Sequence, residues 1–183
     1  MSKGIIINGC SGSGKTTLGK ALAKHLEFQH LDLDDYYWRS DTVLPFTEMH
    51  SKDIVIELLS NDMSKHPYFV MSGSIGSILW DVVSPLFDLA VLLSVPVDIR
   101  LKRVQARAFS RFGERTLPGG DLYKQHKELY RQIEAYDTGE NPSYSLERHE
   151  KWAAELQCPV LRADGTKPIY ENVAWIAEQY LPI

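Results

Sequence analysis

A chain of 183 residues, 44% apolar and 24% charged with a formal net charge of -4, has the composition of a soluble globular protein built on one substantial core, so the whole of 1–183 is expected to form a single domain. The acidic balance argues against nucleic acid as a partner, and no apolar run approaches the roughly 20 residues that cross a bilayer. Cys10 and Cys158 are too few and too far apart for a disulfide framework or a metal motif, and no charged-then-apolar leader opens the chain, so the expected location is the cytoplasm.

In chain order, residues 4–8 form the first short apolar run and read as a strand. A small, polar stretch follows, "GCSGSGKTT", and then a helical pattern with Leu18, Ala21, Leu22 and Leu26 on one face. Further apolar runs at 28–33, 68–72, 89–95 and 159–161 read as strands. Stripes at helical spacing, Val97, Leu101, Val104 and Ala108, then Ile169, Val173, Ile176 and Tyr180, read as helices. Continuous apolar strands alternating with helices imply an α/β fold with a parallel sheet covered on both faces. Between about 109 and 157 the pattern changes to two polar helical stretches, 121–136 and 145–156, with no strand between them. Pro118, Gly119, Gly120, Gly139 and Pro142 punctuate it, as expected of an inserted helical lid or, equally, of a helical flap that only covers the core.

The stretch at 9–17 fits G-x-x-x-x-G-K-[ST] through Gly9, Gly14, Lys15 and Thr16, with a strand before it and a helix after it. Glycines allow the backbone turns that aim consecutive N–H groups into one concavity, and the helix start adds its positive end. Gly9, Ser11, Gly12, Ser13, Gly14, Lys15, Thr16 and Thr17 are therefore the expected phosphate cup. Lys15 reaches the β- and γ-phosphates and the Thr16 hydroxyl ligates Mg²⁺. The Asp-x-x-Gly and Asn-Lys-x-Asp patterns of a GTPase switch are absent, as is the Asp-Glu that ends a motor ATPase strand. After the second strand comes "HLDLDDYYW", which puts Asp32, Asp34 and Asp35 at the carboxyl edge of the sheet, where ligands of such sheets bind. On an extended chain Asp32 and Asp34 face the same way and can share a metal shell and an acceptor hydroxyl; a cap of the next helix by Asp34 or Asp35 is the plainer alternative.

The loop at 9–16, the acidic segment at 32–37 and the arginine-bearing "DIRLKRVQAR" together resemble the P-loop small-molecule kinases: nucleoside-monophosphate, shikimate and uridine kinases. The resemblance covers 1 to about 110 and 158–183, and implies a three-layer fold on a five-stranded parallel sheet with the P-loop strand central and a lid over the phosphates. It implies ATP and Mg²⁺ as cofactors, Arg103 stacking on adenine, Arg107 touching the phosphates, and Gly165 in "RADGTKP" lying against the base. Arg100, Arg103 and Arg107 fall at helical spacing and form a basic flank, which Arg111 and Arg115 extend into the insertion to offset charge on the phosphoryl in flight.

Between residues 16 and 99 the chain has one arginine, Arg39, which favours a neutral or weakly charged acceptor over a nucleoside monophosphate. Resemblance to uridine kinases assigns Asp34 as the base that orients the acceptor hydroxyl, and resemblance to shikimate kinases assigns Asp32 to the metal; the two roles are interchangeable on sequence grounds. Asp35, Tyr37, Arg39 and Gly73 complete the expected acceptor wall. Tyr36, Tyr37 and Trp38 stack on a ring or pack as core, and the loop "SGSIG" at 72–76 offers backbone N–H groups. An exposed helix accounts for His126, His149, Tyr136 and Asp137. The expected function is ATP-dependent transfer to a hydroxyl of a small nucleoside-like or sugar-like metabolite. The alternatives are a nucleoside-monophosphate kinase of adenylate-kinase type and, from another class, a nucleotide-gated binding protein without transfer.

Overall fold

Ile5, Ile6 and Ile7 are all fully buried, which a strand allows only when both its faces are covered, because successive side chains point to opposite sides. They belong to β1 (Lys3–Gly9) of a computed structural model that describes residues 3–75 and 77–180. Strands β2 (Gln29–Asp32), β3 (Tyr68–Ser72), β4 (Phe87–Ser94) and β5 (Val160–Asp164) join it in one all-parallel sheet of order β2-β3-β1-β4-β5. β1 is central, with Ile5 opposite Val70 of β3 and Leu89 of β4.

Parallel neighbours need long crossovers, and helices supply them. In chain order these are α1 (Lys15–Leu26), α2 (Leu33–Tyr37), α3 (Lys52–Lys65), α4 (Ser77–Val83), α5 (Val97–Phe112), α6 (Tyr123–Ala135), α7 (Leu146–Glu155) and α8 (Ile169–Tyr180). The alternation in β1 divides the core. Ile5 and Ile7 pack with Leu18 and Leu22 of α1 and Val173 and Ile176 of α8. Ile6 faces the other way, into a layer with Val55, Leu59 and Met63 of α3, Leu79 of α4 and Trp152 of α7. A third cluster, Cys10, Val104, Ile133 and Tyr136, joins α5 and α6 to the chain just beyond the carboxyl end of β1.

Two expectations need correction. The second strand stops at Asp32 rather than Leu33, because Asp32 caps α2. Helix α7, within the expected 109–157 lid, is instead a cover of the core, the other reading open for that stretch: it buries Trp152 and Ala153 in the layer on the Ile6 face, with Trp152 edge-on to Trp80 at 5.1 Å between ring centres. The first turn of α7 still reaches the sheet's carboxyl edge, where His149 meets Ser74 just beyond β3. If α7 is a core helix, Trp152→Ala should cost about 3–5 kcal/mol in urea unfolding. Trp152→Phe, which keeps the ring packing and removes an indole N–H that has no partner among the described residues, should cost far less.

Candidate active site

The turn from β1 into α1 is left-handed at Gly12 (φ 84) and Gly14 (φ 99), and a Cβ on Gly12 would fall 2.5 Å from the Arg100 carbonyl oxygen. Only glycine fits there. Gly9 ends the strand, Ser13 N donates to the Cys10 carbonyl, and Gly14 accepts the first helical hydrogen bond, from Leu18 N. Ser13 is buried and its hydroxyl has no partner among the described residues, whereas Thr17 is exposed. Lys15 folds back over the loop, its Nζ donating to the Cys10 carbonyl at 3.1 Å. Burial pulls its ammonium down from the ordinary lysine value, while the charge of Asp34 opposes the shift.

Thr16 Oγ1 donates to Asp32 Oδ2 at 2.8 Å, joining the start of α1 to the end of β2. The other Asp32 oxygen accepts from Asp34 N at 3.2 Å, so Asp32 is the helix cap, not Asp34 or Asp35. Asp34 is consequently helical. The expectation that it and Asp32 face the same way along one extended segment therefore fails, although both still act on Lys15 through their charge. Asp34 is exposed as a residue, but the protein around its carboxyl partly desolvates it and, with Asp32 beside it, pushes it up from the usual carboxylate value, with Lys15 and Arg107 pulling the other way. Asp35 is exposed on α2. Tyr36 and Tyr37 are buried in the core, with Tyr36 Oη donating to Asp62 at 2.9 Å, so core packing, not a stacking wall, accounts for this pair.

The arginines divide by partner. Arg103 Nη1 lies 3.4 and 3.3 Å from the carbonyls of Gly12 and Ser13 and Nη2 lies 3.1 Å from that of Gly165, clamping the loop after β5 to the glycine loop. Gly165 is needed for that approach, since a Cβ there would come within 2.8 Å of the Ser13 carbonyl oxygen. Arg107, one turn further on, is exposed, makes no ion pair among the described residues, and acts on both Lys15 and Asp34. Arg111 lies over the rings of Phe46 and Phe112, Arg115 forks onto Asp121, and Arg39 bridges Asp41 and Glu48 on a surface loop. Arg100 does not belong to the basic flank. It is 1% exposed, ion-paired with Asp137 and stacked on Tyr136.

A buried wall escaped the sequence reading. Tyr144 Oη accepts from Ser11 N at 2.7 Å, and Tyr136 Oη lies 2.6 Å from His149 Nδ1. His149 Nε2 is 3.4 Å from Ser74 Oγ, which donates to Asn8 Oδ1 at 3.3 Å. Tyr136 and His149 are buried, so an exposed helix does not account for them; His126 is half-buried against Phe112. Burial pushes both tyrosine hydroxyls up, leaving them protonated. Beside this wall is a cavity of about 390 Å³ lined by Ser74, Ile75, Tyr144, Arg148, His149 and Trp152. Gly73 does not offer its N–H to this space, because that N–H is taken by the Ile7 carbonyl; its missing Cβ instead admits Leu33, which would lie 2.7 Å away. Gly76, the last residue of the expected loop, lies outside the described residues.

A family model described as an AAA domain, AAA_18, matches residues 5–112. The chain belongs to that family. It is 38% identical over 174 residues to YqaC of Bacillus subtilis (strain 168), described as uncharacterized, covering 94% of each chain. It is 25% identical to a cytidylate kinase of Pyrococcus abyssi (strain GE5 / Orsay), over 92% of this chain and 96% of that one. A shikimate kinase structure from Bacteroides thetaiotaomicron superposes with a TM-score of 0.58 at 19% identity, covering 98% of both. The expected architecture, the five-stranded parallel sheet of the P-loop small-molecule kinases, is thus the one observed. Among the described residues no helix is long and apolar enough to cross a membrane.

Within this site of the AAA_18 chain, His149 carries a pH signature. Burial, reinforced by the charges of Lys15 and Arg148, pushes its imidazole down to about 4 from 6.5. Between those values the unfolded chain takes up a proton that the folded chain refuses, so its share of stability is complete above pH 6.5 and lost as pH falls toward 4. From pH 7 to pH 4.5 the loss should be about 2 kcal/mol. His149→Gln should remove that part of the slope in urea unfolding at the two pH values; an unchanged difference between pH 7 and 4.5 would refute the assignment.

Proposed function

We propose that the chain is an ATP-dependent kinase that moves the γ-phosphoryl group to a hydroxyl of a small metabolite. The observation that carries this reading is the Thr16–Asp32 hydrogen bond beside Lys15, which brings a hydroxyl and a carboxylate together at the mouth of the amide cup. Two hard oxygen donors at that point suit Mg²⁺, and Thr16 and Asp32 are the residues that would hold it. The ion supplies charge neutralisation on the phosphates. The cup amides and Lys15 grip the phosphate tail, and Arg103 with Gly165 forms the flank toward the base.

Phosphoryl transfer asks the protein for position and charge compensation rather than covalent chemistry. In the proposed step the acceptor oxygen forms its bond to the γ-phosphorus, the bond to the β–γ bridging oxygen breaks, and the acceptor proton passes to Asp34. A carboxyl raised above its ordinary value is a better proton acceptor, and the nearby positive charges of Lys15 and Arg107 oppose that rise. Arg107, which has no ion-pair partner among the described residues, is the arginine best suited to the phosphoryl in flight. Arg111 and Arg115 would have to leave Phe46 and Asp121 to join it.

The cavity beside the cup supports an acceptor of low charge. Arg148 is the formal cation in its lining among the described residues, and His149 is neutral there. A nucleoside monophosphate brings a dianion, and Arg39 is already held by Asp41 and Glu48. The likeness to a cytidylate kinase favours that second reading, which an acceptor panel separates from the first. ADP should form only with the true acceptor among nucleosides, nucleoside monophosphates, sugars and hydroxy acids. Asp34→Asn should lower that turnover by about two to four orders of magnitude with ATP affinity nearly unchanged. ATP binding with no acceptor-dependent ADP across the panel would favour a nucleotide-gated binding protein instead.

A further inference from the structure

The Tyr144 hydroxyl lies directly on the glycine loop. Lys15 marks the end of the cup at which the γ-phosphoryl belongs, because its ammonium serves the β- and γ-phosphates and here rests on the Cys10 carbonyl. The next amide, Ser11 N, donates to Tyr144 Oη at 2.7 Å, and the same hydroxyl lies 3.1 Å from Ser11 Oγ and 3.8 Å from Cys10 Sγ. An oxygen of a bound phosphoryl group accepting from that amide would have to stand at the same distance in the same direction. Two oxygens cannot share that place.

Tyr144 is not a surface side chain that happens to touch the loop. Its ring packs against Tyr136 at 5.4 Å and stands perpendicular to His149 at 5.6 Å between ring centres. Those two residues are hydrogen-bonded to each other, and Arg100 lies over Tyr136. The segment carrying Tyr144 is closed on itself by Leu146 N donating to the Tyr136 carbonyl at 2.9 Å. The same ring lines the 390 Å³ cavity, so Tyr144 forms the partition between the γ end of the cup and that cavity.

We propose that Tyr144 is a gate residue that makes the site discriminate triphosphate from diphosphate: in the nucleotide-free protein its hydroxyl occupies the Ser11 amide, a third phosphoryl group displaces it and opens the cup to the cavity, and a diphosphate leaves it in place. This rests on the reading of 9–17 as a phosphate cup. No covalent change is involved; one hydrogen-bond acceptor replaces another on one amide. The gate lowers affinity for the triphosphate relative to the diphosphate, and it closes again once the γ-phosphoryl has left.

Tyr144→Phe keeps the ring in the partition and removes the competing hydroxyl. Calorimetric titration without acceptor should show a non-hydrolysable ATP analogue with Mg²⁺ binding about fivefold more tightly to the variant, and MgADP binding unchanged. Hydrogen exchange in the nucleotide-free protein should show the Ser11 amide protected in the native chain and released in the variant. An unchanged ratio of the two affinities, weaker binding of the ATP analogue, or equal Ser11 exchange in the two proteins would each overturn the gate while leaving the phosphate cup intact. Failure of both nucleotides to bind the native chain would overturn the cup and the gate together.

Discussion

The 2.8 Å hydrogen bond between Thr16 and Asp32 is the constraint around which the site is arranged. It spans two strands of the sheet, since β2 lies beyond β3 from the P-loop strand, and the intervening edge has to be low for the two groups to meet. Glycines make it low. A Cβ on Gly19 of α1 would come 2.8 Å from the His30 ring, and one on Gly73 would come 2.7 Å from Leu33. Removing both lets α1 and α2 close over the end of β3, with His30 Nε2 and Ser72 Oγ meeting at 3.0 Å beneath them. Asp32 can then cap α2 with one oxygen and hold Thr16 with the other.

Local chemistry wrote the parts of this arrangement that can be read from the chain alone. The unbroken isoleucines of β1, the spacing of Gly9, Gly14, Lys15 and Thr16, and the return of apolar runs between helical stripes each depend on neighbours in sequence, and they led directly to a parallel sheet with the glycine loop leaving its central strand. α3 went unread: Val55, Leu59 and Met63 fall at intervals of four, but polar neighbours such as Asp53, Glu57 and Asn61 mask the stripe. Asp34 was misplaced because a helix of only five residues begins where the strand pattern still runs. What stayed hidden depends on contacts between residues far apart in the chain. Tyr144 meets Ser11 across 133 residues, and Ser74 meets His149 across 75. No periodicity marks such pairs.

Charge sets Lys15 and Asp34 against each other beside the glycine loop. Lys15 is pulled toward its neutral form by burial and Asp34 toward its protonated form, each resisting through the other's charge. Under the kinase reading proposed above, a polyphosphate at the glycine loop would add negative charge next to the lysine and a divalent cation at Thr16 and Asp32 would add positive charge next to the carboxylates, so that each would favour the other's binding.

Arg100 connects this balance to the insertion. Its carbonyl lies so close to Gly12 that the loop's conformation and the start of α5 are set together, while its guanidinium stacks on Tyr136 and pairs with Asp137. Burying an arginine in an ion pair adds little net stability, since an apolar replacement of the same volume commonly does as well. What the pair supplies is geometry. Through one residue, the backbone of the glycine loop and the aromatic frame that holds Tyr144 are fixed relative to each other, so a shift of either is transmitted to the other.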